Sequence, residues 1–174
     1  MSTIIRALRL VGVMLILAVP CSSGTPEIQP GSDTSYKGGL PLASSTSSKN
    51  KAEEIVRTVS SRTTVEPSEV EQALPFIEDY CECGGTEQAV QKVLLAAVEM
   101  GCRQECFYET AKCMRDGVES GLTADRTETA VMSSLTDAQA WCKEQGLAMS
   151  GADAGEHLRV SFRGHLSAAM HPLP

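Results

Sequence analysis

Seven cysteines in 174 residues constrain this chain more than any other feature, and six of them crowd between Cys81 and Cys142. The seventh, Cys21, sits in a different kind of segment. Met1 to Arg9 carries Arg6 and Arg9 and no acidic residue. Leu10 to Val19 (LVGVMLILAV) is an apolar run, Pro20 breaks it, and Cys21, Ser22, Ser23 and Gly24 are small. That order is the n-region, h-region and cleavage site of a secretory signal peptide, with cleavage expected after Ser23 or Gly24. The run is too short for a comfortable membrane span, which needs about 20 residues, and Pro20 suits a lipoprotein anchor on Cys21 poorly. Cleavage removes Cys21 and leaves Cys81, Cys83, Cys102, Cys106, Cys113 and Cys142. An even set in an exported chain is expected to be oxidised to disulfides.

Charge narrows the function classes. The chain carries 15 basic and 22 acidic residues. Removing Arg6 and Arg9 leaves 13 against 22, so the exported form carries −9. Such a balance argues against nucleic-acid binding, which needs clustered Lys and Arg. Residues 24–65 are rich in Ser, Thr, Gly and Pro, with little apolar periodicity, and read as a disordered leader or propeptide, although a short helix fits Ala52 to Ser60. No paired basic residues and no Asn-x-Ser/Thr acceptor occur in the chain.

From Glu66 the pattern becomes helical. Pro67 suits a first turn, and Pro75 predicts a bend in a helix reaching Tyr80. Cys83-Gly84-Gly85-Thr86 reads as a turn ending in an N-cap. Val90, Val93, Leu94 and Ala97 recur at helical spacing over Glu87 to Glu99. Met100-Gly101 is either the C-cap before a helix from Arg103 to Val118 or a tolerated glycine in one long helix. Thr123 and Asp125 open another helix, Thr136 with Gln139 resembles a capping box, and Val131, Leu135, Ala138 and Cys142 form a stripe ended by Gly146. The expectation is an all-α fold: a small disulfide-stapled bundle of three to four helices over residues 66–147, after a signal peptide at 1–23 and the leader at 24–65, with a flexible tail at 148–174.

The cysteines carry the chemistry. Cys102, Cys106 and Cys113 face roughly one side of a helix at i, i+4 and i+11. Antiparallel neighbours would bring Cys113 to Cys81 or Cys83, and Cys142 to Cys102 or Cys106, the last bridge joining the two left over; spacing alone leaves 15 connectivities open. At about 2–4 kcal/mol each, such bridges would decide the stability of so small a core. Zinc is not expected, because His157, His165 and His171 all lie in the tail away from the cysteines, and no Cys-x-x-Cys redox motif occurs. No cofactor is called for. Glu99, Glu105 and Glu109 read as a solvated helix face, no Ser-His-Asp set assembles with histidines confined to the tail, and the chain is not expected to be an enzyme. The tail also holds a small basic and aromatic group, Arg159, Phe162 and Arg163. Better placed for binding are Arg103, Tyr108, Lys112 and Arg115, aromatic and cationic anchors on the cysteine-bearing helix.

The run Cys102-Arg-Gln-Glu-Cys106-Phe-Tyr-Glu-Thr-Ala-Lys-Cys113, followed by Ala140-Trp-Cys142-Lys, resembles the con-ikot-ikot group of cone-snail toxins. The resemblance covers Cys81 to Cys142 and lacks that group's adjacent Cys-Cys doublets. It implies a secreted, helical, disulfide-linked and dimerising protein that binds AMPA-type ionotropic glutamate receptors and suppresses desensitisation. The expected function is therefore toxin-like binding and modulation of an extracellular receptor or ion channel. The alternatives are a pheromone-like signal or a carrier whose apolar cavity is lined by Val93, Leu94, Ala97, Val131 and Leu135.

Overall fold

Caps and prolines set most of the helix boundaries. The structure, a computed structural model, describes residues 43–171; the expected signal peptide at 1–23 and the leader as far as residue 42 lie outside them. Six helices follow one another: α1 (Ala43–Arg62), α2 (Pro67–Glu82), α3 (Glu87–Glu99), α4 (Gln104–Glu119), α5 (Ala124–Gln145) and α6 (Ala152–Met170). Among the described residues there is no strand, and no helix is long and apolar enough to cross a membrane.

Pro67 opens α2, and α2 runs unbroken through Pro75, which is exposed, so the backbone carbonyl it leaves without a donor is close to water. Thr86 caps α3 by accepting the Ala89 N–H at 3.4 Å, and Thr123 caps α5 by accepting from Arg126 at the same distance. Gly101, at φ +87°, sits in the left-handed region just past the end of α3 and separates it from α4. Gly146 does the same after α5, at φ +67°. Thr136 is not a cap. It lies inside α5 and donates its hydroxyl to the Met132 carbonyl one turn back, at 3.0 Å.

Four helices, α2 to α5, fall within the expected residues 66–147, and α1 and α6 flank them. The readings of the two flanking segments are corrected. Part of the polar leader is α1, because Ala52, Ile55 and Val59 form an i, i+3, i+7 stripe that is fully buried. The expected flexible tail is α6, where Ala154, Leu158 and Phe162 repeat every four residues and are buried. Gly155 allows that close packing, since a Cβ there would stand 3.2 Å from the Cγ of Glu105 and 3.3 Å from that of Glu109. Cys102 and Cys106 lie at disulfide distance from each other, with Cα atoms 5.5 Å apart, and neither is beside Cys142 as a partner. The chain turns into α4 between these two, and a separation of four residues puts them in reach of each other. Cys113 and Cys81 form no disulfide: Cys113 is buried among groups of α4 and α6, while Cys81 lies at the end of α2 near Lys51 and Glu87.

Two pairings organise the bundle around the surface of interest. Helices α2 and α4 run side by side in the same direction, with Glu69 accepting from the Gln104 N–H at 2.9 Å near their starts and Asp79 facing Arg115 at 3.8 Å further on. Helices α5 and α6 form an antiparallel hairpin, with Trp141 stacked on His157 near the connection. One continuous core joins all six helices through Ile55, Ile77, Tyr80, Leu94, Phe107, Met114, Leu135 and Leu158.

Candidate partner-binding face

Tyr108, Lys112 and Arg115 stand at i, i+4 and i+7 on α4, and therefore share one face. The parallel packing of α2 brings Phe76 to that face. The Phe76 and Tyr108 rings meet edge to face with centroids 4.9 Å apart. Cations cover both rings: the Arg115 guanidinium lies 4.8 Å from the Phe76 centroid, and the Lys112 ammonium 5.9 Å from that of Tyr108. All four side chains are half-buried, held by neighbours yet open on one side.

Carboxylates ring this centre. Arg115 donates from Nε to Asp116 at 3.0 Å and reaches Glu119 at 3.6 Å and Asp79 at 3.8 Å. Burial pulls the Arg115 pKa down, but the hydrogen bond and charge of Asp116, with Glu119 and Asp79, outweigh it, and the net displacement is upward. Lys112 pairs with Glu109 at 3.3 Å. The carboxylates in contact with the centre are Asp79 of α2 and Glu109, Asp116 and Glu119 of α4, four against the two cations Lys112 and Arg115. Such a surface offers a partner rigid aromatic area, preset cations and a field that attracts a positively charged counterpart.

Arg103 does not join it. Its Nη1 donates to the Val98 carbonyl at 3.0 Å and the Cys102 carbonyl at 2.8 Å, and its backbone N–H to Met149 at 2.9 Å. It satisfies carbonyls at the end of α3, a task set by the Gly101 turn. Phe76 and Asp79, by contrast, were not among the expected residues. Their only trace in the sequence is a three-residue spacing on a helix, and the register between α2 and α4 cannot be read from that.

Several other candidates are placed differently from expectation. Glu99 and Glu105 are exposed, but Glu109 is 7% exposed, because α6 comes down on it through Gly155; its Oε2 has no hydrogen-bond partner. Of the tail group, Phe162 is in the core, Arg159 is half-buried and Arg163 is exposed, so the three form no common surface. Ser161 and His165, at i, i+4 on α6, both meet Asp137 of α5: the hydroxyl donates to Oδ2 at 2.6 Å, and His165 Nε2 lies 2.9 Å from the same oxygen. The serine thus bonds the carboxylate and not the imidazole, the reverse of a nucleophile–base arrangement. These two hydrogen bonds, Ser161 first, hold the Asp137 carboxyl below its ordinary range.

The thiols are held protonated. Burial, with the Glu87 carboxylate adding and Lys51 opposing, pushes Cys81 up to about 11. Burial, with Asp116 and Glu109 adding, raises Cys113 further, and Cys142 rises through burial with Asp153 nearby. A protonated thiol is a poor nucleophile and a poor metal ligand. Cys83 is half-buried at the C-cap of α2. The residues expected to line a carrier cavity, Val93, Leu94, Ala97, Val131 and Leu135, are fully buried members of the continuous core. No protein-family model, curated protein or solved structure matches this chain.

Proposed function

We propose that the protein is secreted and acts, without chemistry of its own, by occupying the surface of an extracellular receptor or ion channel through the α2–α4 face. The observation that carries this reading is the Phe76–Tyr108 pair capped by Arg115 and Lys112 on two helices packed side by side. Binding energy concentrates in aromatic and Arg anchors that are already ordered before contact, because little side-chain entropy is then lost on association. The Cys102–Cys106 link serves the same end: it ties the start of α4 to the turn that precedes it. The surrounding carboxylates direct the face toward a cationic region of the partner. An ionotropic glutamate receptor is the first receptor class to test, on the sequence resemblance between Cys102 and Cys142.

The test is electrophysiology with purified protein applied to cells expressing glutamate, nicotinic or voltage-gated channels. The proposal expects one class to respond with altered gating, and expects Tyr108→Ala to lose that response while keeping the wild-type circular-dichroism spectrum at the assay temperature. Silence across all three classes, or equal responses from wild type and Tyr108→Ala, would refute it.

A further inference from the structure

At the α5–α6 hairpin, a solvent-open hollow of about 270 Å³ lies between the first half of α5 and the last turns of α6. Its floor is apolar and small-chained: Ala130 of α5 with Ala168 and Ala169 of α6. Its polar residues are Arg126, Thr129, Ser133 and His165, and the Thr129 hydroxyl donates to the Asp125 carbonyl at 2.9 Å. Arg126 stands on the wall with a guanidinium that makes no ion pair and no hydrogen bond among the described residues, and the Ser133 hydroxyl likewise has no partner there. Glu128, two residues along α5 from Arg126, is committed to Lys92. His165, fixed by Asp137 on Nε2, completes the lining.

A concave site of mostly apolar atoms with a few convergent polar groups is what small-molecule sites have in common. In a chain of net charge −7, an uncommitted cation over an apolar floor selects a monoanion with a hydrocarbon body over a phosphate or sulfate, which would leave the alanines facing charge. The hollow is open to solvent, so a short hydrocarbon body can lie across the alanines without being enclosed. We propose that this hollow binds a short-chain carboxylate, its head on Arg126 and Ser133 and its chain along Ala130, Ala168 and Ala169. The site is separate from the α2–α4 face and does not depend on what that face binds.

The experiment is an NMR titration of the isotope-labelled full chain with hexanoate, and with hexan-1-ol as the uncharged counterpart. Hexanoate is expected to shift the resonances of His165, Ala168 and Ala169 saturably, with half-saturation on the order of 1 mM for so small a ligand in an open site. Arg126→Gln should weaken that binding about tenfold or more, the loss of one charge-assisted hydrogen bond. Ala168→Phe should abolish it by filling the space. Both positions are exposed, so both variants are expected to melt as the wild type does. The proposal is overturned if hexanoate fails to saturate by about 10 mM, if hexan-1-ol binds equally, or if Arg126→Gln titrates like the wild type.

Discussion

Replacing Leu158 with alanine tests whether residues 152–170 belong to the core. Leu158 is fully buried on the stripe of α6 that packs against α4 and α5. Alanine is the better helix former, so the substitution leaves the propensity of α6 intact and removes packing alone. Fully burying a leucine side chain contributes about 1.5–3 kcal/mol, and the cavity left between three helices adds to the loss, so the expected destabilisation is about 3 kcal/mol. Against a typical domain stability of about 5–15 kcal/mol that is a large fraction, and it corresponds to a melting temperature lower by roughly 10 °C. The control is Val160→Ala, on the exposed side of the same helix at 53% exposure, where a change within about 0.5 kcal/mol is expected. Urea unfolding followed by circular dichroism and by the fluorescence of Trp141, the only tryptophan, measures both. Equal, small effects from the two variants would mean that α6 is not docked, and the account of the α5–α6 hairpin would fall with it.

Three further outcomes follow from the packing and the titrating groups. Gly117→Ala should destabilise by about 1–3 kcal/mol, because its Cβ would meet Thr127 Cγ2 at 2.5 Å and Oγ1 at 2.8 Å; Gly164→Ala, with nothing within 4 Å, should stabilise by about 0.5–1 kcal/mol, and the same urea curves separate the two signs. Because the Asp137 carboxyl is lowered in the folded protein, its contribution is present above the ordinary carboxylate range and is lost as pH falls through the lowered value; Ser161→Ala should move the Asp137 titration upward in a carboxyl-carbon NMR experiment, and an unmoved curve would show that the hydroxyl plays no part. Under native conditions near neutral pH, iodoacetamide should label Cys81 slowly and Cys113 only after unfolding, while Cys102 and Cys106 should need reduction first; intact mass before and after each step reads this directly.

The parts of the fold that were legible in the sequence are those fixed by local rules. The Thr86 cap and the Gly101 turn delimit α3 to the residue because each depends on a few neighbouring backbone groups. The first helix is legible only as a short stretch over Ala52 to Ser60 and the last reads as a tail, for a common reason. Ile55 and Val59, and Leu158 and Phe162, lie in polar or low-complexity surroundings, and a stripe of three or four apolar residues becomes a long helix only when other helices exist to receive it. The Thr136–Gln139 pattern misled for the opposite reason, since a capping sequence inside a long apolar stripe is overridden by continuous packing. Tyr108, Lys112 and Arg115 fell together because helical spacing alone unites them, whereas Phe76 joined through a pairing of helices that no local rule specifies. Arg103 turns back onto the Val98 and Cys102 carbonyls at the Gly101 turn and so leaves the face. The closeness of Cys102 to Cys106 is local, set by the turn into α4, whereas an expectation built on antiparallel neighbours looks for partners on other helices.

The central claim is that the aromatic centre of the α2–α4 face makes the contact with the partner. Surface plasmon resonance of the purified full chain over the isolated extracellular domain of an AMPA-type glutamate receptor tests it most directly. Saturable binding is predicted, weakened roughly thirtyfold by Tyr108→Ala, as for an interface anchor contributing about 2 kcal/mol, and unchanged by Arg126→Gln on the far hairpin. No saturable binding, or binding that Tyr108→Ala leaves intact, would contradict it.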